Sequence, residues 1–276
     1  MSIIGKLQVV TGGTSGMGFA TALRLGEYGP VLIGGRGQSK IDESLAKLKE
    51  AGVEAYGMSC DISDRASVEA FKEYAKSLGA IGSVCNAAGV YINGTNPKMI
   101  LDINMGGVIN VTEAFLSELE DGVMCHYSSC TGYLYDPTPE VLEIWEDTYA
   151  EDFFEKNLAT IKPPAGTEFL GENFPFYAAS KRFVMYYTMA NAERFGAKGN
   201  RIFSIAPGSF DTPMLRAGYD DPSIVGDATA LGRVGTPEEM ADLVVKLMGP
   251  GPDYLTGCDV RMDGGCIALT QVPQID

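Results

Sequence analysis

Thr11-Gly12-Gly13-Thr14-Ser15-Gly16-Met17-Gly18 decides how this chain is read. It follows a short apolar run, Leu7–Val10, and opens Gly18–Tyr28, where apolar residues recur at helical spacing. A glycine-rich turn between strand and helix suits a dinucleotide. Gly12 permits the tight turn, and Gly16 and Gly18 let the backbone approach a pyrophosphate at the positive end of the helix. The spacing, Thr-Gly-x-x-x-Gly-x-Gly, differs from the commoner G-x-G-x-x-G, and alone such a turn often only joins a strand to a helix. Far downstream, Tyr177-Ala178-Ala179-Ser180-Lys181 sets a phenol and an ammonium four residues apart, on one face of a helix. Together the two stretches point to nicotinamide chemistry with a tyrosine as the proton-transfer group.

Outward from these stretches, short β-rich runs alternate with amphipathic ones, which predicts an α/β doubly wound, Rossmann-like parallel sheet. Expected strands are Val31–Ile33, Glu54–Met58, Ser83–Cys85, Val123–Ser128, Arg201–Ala206 and Cys258–Met262. Expected helices are Ile41–Ala51, Ala66–Leu78, Asp102–Glu120, Phe176–Phe195 and Pro237–Met248, the last with proline in its first turn. One segment, Tyr133–Pro175, breaks the rhythm. Val141, Trp145, Tyr149 and Phe153 recur every four residues among Glu140, Glu143, Glu146, Asp147, Glu151 and Asp152, which predicts one acidic amphipathic helix over Pro139–Leu158. Lys162–Gly166 then reads as a loop. The expectation is one domain, 1–276, carrying a helical insert, 133–175, before the tyrosine helix.

Composition narrows the class. The 276 residues are 45% hydrophobic, enough for a sizeable core, and no apolar run approaches the length that spans a bilayer. The N-terminus enters the first strand without a leader-like apolar stretch, so a cytoplasmic protein is expected. A formal net charge of −15 argues against nucleic-acid binding. Six cysteines contain no C-x-x-C pair and His126 is the only histidine, which argues against a metal site; reduced thiols and a structural His126 are expected.

The motifs then accumulate in order. Asp61 follows the third strand, Asn86-Ala87-Ala88-Gly89 the fourth, Asn104 sits in Asp102-Ile103-Asn104, Ser129 in Ser129-Cys130-Thr131-Gly132, and Pro207-Gly208-Ser209-Phe210-Asp211-Thr212 ends a later strand. With the glycine turn and the Tyr/Lys pair, this series resembles the classical short-chain dehydrogenase/reductase family along nearly the whole chain. The resemblance implies four catalytic residues, Asn104, Ser129, Tyr177 and Lys181, with Ser128 the weaker choice of serine. It implies cofactor contacts from Gly12, Thr14, Ser15, Gly16, Met17, Gly18, Asp61, Ile62, Asn86, Gly89, Lys181, Phe210 and Thr212.

Chemistry accounts for these types. A free phenol, with a pKa of about 10, is a poor base near neutrality, and a nearby ammonium favours its ionised form. Lys181 is expected to lower the Tyr177 pKa and, by resemblance, to bond the nicotinamide ribose. Ser129 is expected to steady charge on the substrate oxygen, and Asn104 to hold a water in the proton path. At the end of the second strand, Gly35 stands where relatives that prefer NAD carry an acid, and Arg36 can pair with a 2′-phosphate, with Lys40 nearby. NADP(H) is therefore preferred and NAD(H) remains possible, since Ser15 stands where many NADP enzymes carry a second basic residue.

Ser129 and Tyr177 lie further apart than is usual for this family, and Asn86 and Asn104 lie closer. These departures, with Ile205-Ala206-Pro207-Gly208, Thr212-Pro213-Met214-Leu215-Arg216-Ala217-Gly218-Tyr219-Asp220-Asp221-Pro222 and Met262-Asp263-Gly264-Gly265, resemble bacterial 3α-hydroxysteroid dehydrogenase/carbonyl reductase. The resemblance implies a steroid or bile acid substrate oxidised or reduced at a ring carbon. A homo-oligomer is expected as well: the apolar stripe of the insert needs somewhere to bury, which disfavours the four-helix contact common in the family and leaves a dimer formed through another face or through the insert itself. Reduction of smaller cyclic ketones, terpenoids or quinones is the alternative activity, and a non-catalytic nucleotide-sensing protein the alternative class.

Overall fold

The computed structural model describes residues 3–167, 170–219, 221 and 223–271. Asp220 and Pro222 of the stretch quoted above, and Glu168 and Phe169 of the insert, lie outside the described residues. Seven strands form one sheet: β1 (Leu7–Thr11), β2 (Val31–Gly35), β3 (Ala55–Ser59), β4 (Ile81–Asn86), β5 (Leu119–Tyr127), β6 (Arg201–Pro207) and β7 (Cys258–Met262). Their order is β3-β2-β1-β4-β5-β6-β7, and every pairing is parallel. The order reverses between β1 and β4, so the carboxyl ends of those strands flank a crevice, the usual ligand position in an open α/β sheet.

The sheet is covered on both faces because alternate residues point to opposite sides. Val10, Ile33, Cys85, Cys125 and Phe203 pack with α1 (Gly16–Leu25), α2 (Gln38–Glu50) and, much later in the chain, the helix Pro237–Met248. Their neighbours Val9, Leu32, Val84, Met124 and Ile202 pack on the opposite face with α3 (Arg65–Leu78) and the helix Gly107–Phe115. Continuous apolar strands of this kind are expected of a sheet buried on both faces, and seven core strands were legible within a few residues of their observed ends.

Three expectations require correction. The single helix Asp102–Glu120 is instead α4 (Pro97–Leu101), a π turn at Asp102–Gly106, and α5 (Gly107–Phe115). Asn96 starts it early: its side chain accepts from Met99 N at 2.9 Å, and Pro97 takes the first helical position. Leu119 keeps helical spacing from Leu116 but is already in β5, paired with Ile81. The stretch between Asn86 and Asn104 holds no helix before Pro97, in line with the short interval.

The insert is a helical hairpin rather than one helix: α6 (Pro139–Glu146) and α7 (Phe153–Thr160). Asp147 Oδ1 accepts from Tyr149 N at 3.2 Å, a local bond that competes with helix continuation. Val141, Trp145 and Phe153 are buried, but Tyr149, at the bend, is 62% exposed. Trp145 Nε1 donates to Asn157 Oδ1 at 2.8 Å and ties the two arms together. The hairpin packs over the outer faces of α4, the π turn and α5, and of α8 (Phe174–Ala190), burying Trp145 against Phe183 with centroids 5.4 Å apart. Each such buried side chain contributes roughly 1.5–3 kcal/mol.

The third correction is smaller. The tyrosine helix begins at Phe174 and ends at Ala190; Asn191 separates it from α9 (Ala192–Gly196). The remaining helices are α10 (Pro213–Arg216), α11 (Ser223–Gly226), α12 (Pro237–Met248) and α13 (Cys266–Gln271). Among the described residues, no helix is long and apolar enough to cross a membrane.

Candidate active site

The crevice at the β1/β4 reversal is lined first by the glycine-rich turn. Gly12 has φ +70° and Gly16 φ +52°, conformations that L side chains rarely adopt. A Cβ on Gly12 would meet the Ala88 nitrogen at 2.6 Å, and one on Gly18 the Gly12 carbonyl oxygen at 2.3 Å. Glycine is thus required for the turn, β4 and α1 to approach one another. The N-terminus of α1 faces this crevice. Ser15, its capping residue, spends no side-chain bond on the first turn, which carries no acid, so the amide ends stay open toward an anion.

The other expected cofactor contacts fall along the same wall. Thr14, Ser15, Met17, Arg36, Asp61, Ile62, Gly89 and Thr212 line this crevice with the three glycines. Arg36 is exposed at the end of β2, as a charge reaching for a phosphate must be. Asp61 is held by Ser63, whose N and Oγ both donate to Oδ1, at 3.0 and 2.7 Å. Phe210 and Lys181 line an adjoining pocket, together with Thr212.

Asn86 is the exception. It is buried at the end of β4 and lines neither cavity. Its Oδ1 accepts from Thr11 Oγ1 at 2.5 Å, and its Nδ2 lies 3.4 Å from His126 Nδ1. His126 Nε2 lies 3.0 Å from Thr112 Oγ1, whose own proton goes to Val108 O at 2.8 Å. That chain runs in one direction only: Asn86 donates to a neutral imidazole, which donates to Thr112. Burial, and then the Lys181 charge, push the His126 pKa down to about 3. Asn86 therefore ties β1, β4 and β5 together from behind the crevice; an asparagine at a strand end carries no mark in sequence of which way it turns.

The adjoining pocket, of about 180 Å³, contains Ser129, Tyr177 and Lys181. Ser129 ends the strand side and caps the 3₁₀ turn Cys130–Leu134, its Oγ accepting from Thr131 N at 3.2 Å. Ser128, also at the pocket, is engaged elsewhere: its Oγ lies 2.9 Å from Ile205 O and 2.7 Å from Asp259 Oδ1. Tyr177 is 7% exposed, and its strongest perturbation is burial, which drives the phenol pKa well above its usual range; a hydrogen bond from Ser129 works against that. The expected lowering by Lys181 is not what dominates among the chain's own groups. Lys181 Nζ lies 5.9 Å from the Tyr177 ring centre and donates to Tyr127 O at 3.0 Å. Burial brings its own pKa down to about 8, which weakens the charge it can lend.

Asn104 sits on the π turn, and its side chain is nearly saturated. Oδ1 accepts from Val90 N at 2.9 Å, and Nδ2 donates to Val90 O at 3.1 Å and to Ser180 Oγ at 3.2 Å. A Cβ on Gly89 would lie 3.2 Å from Asn104 Oδ1 and 3.4 Å from Lys181 Nζ, so these two side chains converge on Gly89 and would have to shift to admit a larger residue. Sequence reading missed Ser180, Tyr91 and Tyr219. The first lies inside the Tyr/Lys motif and was legible as a polar residue on the same helix; the two tyrosines come from loops, Tyr91 just past the Asn86–Gly89 motif and Tyr219 within the stretch after Thr212, and no spacing there marks a side chain as facing the pocket.

Comparison with known proteins agrees with this geometry. Residues 6–135 match the family model described as short chain dehydrogenase, and residues 164–266 the one described as enoyl-(acyl carrier protein) reductase. The chain is similar to a 3-oxoacyl-(acyl-carrier-protein) reductase of Pseudomonas aeruginosa, with 30% identity over 96% of this chain and 98% of that protein. It is also similar to 3beta-hydroxysteroid dehydrogenase 1 of Eggerthella lenta, with 26% identity over 95% and 93%. In fold it is similar to a short chain dehydrogenase from Burkholderia cenocepacia solved in complex with NADP, with TM-score 0.76 and 23% identity over 97% of this chain and all of that one. The protein belongs to the short-chain dehydrogenase/reductase family, a family of oxidoreductases.

Proposed function

We propose that this protein is an NADP(H)-dependent oxidoreductase that interconverts a ring secondary alcohol and its ketone, with a 3-hydroxysteroid or bile acid as substrate. The observation that carries the reading is the convergence of Ser129, Tyr177 and Lys181 on one pocket that opens beside a glycine-built anion cradle. The residues fit the cofactor. The α1 amides and Gly12, Gly16 and Gly18 would hold its pyrophosphate, Arg36 its 2′-phosphate, Asp61 and Ile62 its adenine, Lys181 its ribose, and Phe210 and Thr212 its carboxamide. When bound, the nicotinamide supplies or accepts the hydride.

The chain's own residues handle the proton. A phenol raised by burial holds its proton at neutral pH, so Tyr177 is set to protonate a carbonyl oxygen. The Ser129 hydroxyl donates to that same oxygen as charge grows there. Lys181 in its ammonium form steadies the phenolate left behind. Asn104 retains one Oδ1 lone pair, which can hold the water that returns a proton from solvent. Alcohol oxidation runs these transfers in reverse and requires Tyr177 to lose its proton first.

The apolar walls given by Val90, Tyr91, Leu215 and Val225 suit fused rings with few polar anchors. Smaller cyclic ketones are the second reading, favoured by a cavity of about 180 Å³, below the ~300 Å³ at which drug-sized sites begin. The test is a panel of 3-, 7-, 12- and 17-hydroxysteroids and small cyclic ketones with both cofactors, followed at the reduced nicotinamide band. Turnover confined to the small ketones removes the steroid assignment, and no turnover with any substrate removes both.

We also propose a dimer formed away from the α4–α5 and α8 surface, because the α6–α7 hairpin already covers that surface. A crosslinking map that joined α5 or α8 to its symmetry mate would overturn it.

A further inference from the structure

Tyr91 begins the loop that takes the place of a helix after β4, and it reaches the reacting group. Its ring packs edge-on against Tyr177, with centroids 4.9 Å apart and planes at 88°. Edge-on aromatic pairs are favoured by their ring quadrupoles and so hold ring orientation. The base of this loop is firmly tied. Val90 is bonded through both its N and its O by Asn104, Thr95 Oγ1 lies 2.9 Å from both Tyr91 O and Ile92 O, and Asn173 Nδ2 donates to Thr95 O at 3.0 Å. A second loop meets it from across the pocket. A Cβ on Gly218 would lie 2.8 Å from Asn93 Nδ2, and the next residue, Tyr219, lines the pocket beside Tyr91. Burial, and then the neighbouring Tyr219 hydroxyl, push the Tyr91 phenol pKa up to about 12, so the two phenols face one another across the pocket.

We propose that Tyr91 is a positioning residue for the Tyr177 phenol, and that Tyr219 braces Tyr91 across the pocket, so that a substrate is held against a ring pair fixed from two loops. Tyr91 has no proton to exchange with substrate in this role. It sets the angle of the Tyr177 ring and keeps water from the phenol oxygen. The groups facing that phenol are Ser129 and Cys130 from the 3₁₀ turn, Tyr91 from the loop and Lys181 from its own helix. Among these groups Tyr91 alone packs an aromatic ring against the Tyr177 ring, and it does so from a loop tied at its base.

The inference rests on Tyr177 as the proton carrier, and the experiment separates the two. Steady-state kinetics are measured in both directions for Tyr91→Ala, Tyr91→Leu, Tyr91→Phe, Tyr219→Phe and the double phenylalanine variant, with Tyr177→Phe as reference. Tyr91→Ala and Tyr91→Leu should each lower kcat on the order of 10- to 100-fold, with KM changed far less. Tyr91→Phe keeps the ring and should recover kcat to within about threefold, a loss the same size as that of Tyr219→Phe. The double variant should be no worse than either single one, since both remove the same hydroxyl–hydroxyl interaction. Admitting water in Tyr91→Ala lowers the Tyr177 pKa, so the ascending limb of the alcohol-oxidation profile should move to lower pH by about one unit. If the alanine variant does not fold, the leucine variant decides. A native kcat in Tyr91→Leu, failure of Tyr91→Phe to recover it, or an unmoved limb in a folded Tyr91→Ala overturns the inference. Full activity in Tyr177→Phe overturns the reading of the site itself.

Discussion

The two ends of the crevice are built from different materials. At the α1 end the surface is backbone: glycines whose missing Cβ atoms let strand, turn and helix approach, and amides left open by a helix start. At the α8 end it is side chain: Tyr177, Lys181, Ser129 and Asn104, each buried, with Asn104 held by three hydrogen bonds, Lys181 and Ser129 by one each, and Tyr177 by ring packing against Tyr91. The first kind of surface recognises charge and shape and tolerates most changes that leave the backbone alone. The second controls protonation, because burial there moves both the phenol and the ammonium away from their values in water.

The sharpest break should come at the side-chain end. Tyr177→Phe is expected to remove turnover, at least about 10³-fold, while melting temperature and cofactor affinity stay near native, since the ring still packs. Substantial activity in the folded variant would sink the assignment.

At the backbone end, one methyl group should suffice. Gly18→Ala puts a carbon 2.3 Å from the Gly12 carbonyl oxygen, where no side chain can give way. A loss of cofactor affinity on the order of 100-fold is expected, with a lowered melting temperature. Gly37→Ala, where nothing lies within 4 Å, is the control and should change little. Equal behaviour of the two variants would mean that the cradle is not backbone-built.

Arg36→Asp should change preference rather than activity. An acid at this position repels a 2′-phosphate and accepts from a ribose hydroxyl, so kcat/KM should shift from NADP(H) toward NAD(H) by about 10- to 100-fold. The companion Gly35→Asp places its Cβ 2.9 Å from Thr14 Cγ2, a side-chain end that can turn away. A native preference for NAD(H) would show that Arg36 faces something other than a phosphate.

The smallest effect concerns the polar chain behind the crevice. His126 has a folded pKa of about 3, below the 6.5 of an unfolded histidine, so the unfolded chain binds the extra proton as pH falls between these values. Stability is full above about 6.5 and declines toward 3. In His126→Gln the slope of unfolding free energy against pH should flatten in that window, by at most about 1.4 kcal/mol per pH unit. Parallel slopes, measured by urea titration, would show that His126 is not the titrating group.

The same division explains what the sequence disclosed. Backbone features leave glycines at fixed offsets from a strand, and Gly12, Gly16 and Gly18, read on that basis, line the crevice; the other eight residues expected there came from the family resemblance or, for Arg36, from its charge. Ser129, Tyr177 and Lys181 were also legible, because their motifs lie on single elements whose register was clear. Asn86 turns away from both cavities, because the direction of a buried amide depends on partners from β1 and β5 that no local pattern specifies. For a related reason the motif names the charge beside Tyr177 but not the burial that raises its phenol, which is set by the fold around it. The insert kept a four-residue period through its bend, so periodicity alone could not distinguish one helix from a hairpin.

The π turn at Asp102–Gly106 carries a last consequence. Such a turn amounts to one extra residue in an α-helix. Removing one residue from it would restore a regular helix with α5 still in register, but would turn the residues of the bend itself, so that Asn104 leaves Val90 and Ser180. The position of this asparagine is therefore maintained by the extra residue in its turn as much as by its own identity. Deletion of Met105, whose side chain lines neither cavity, should be harsher than most substitutions.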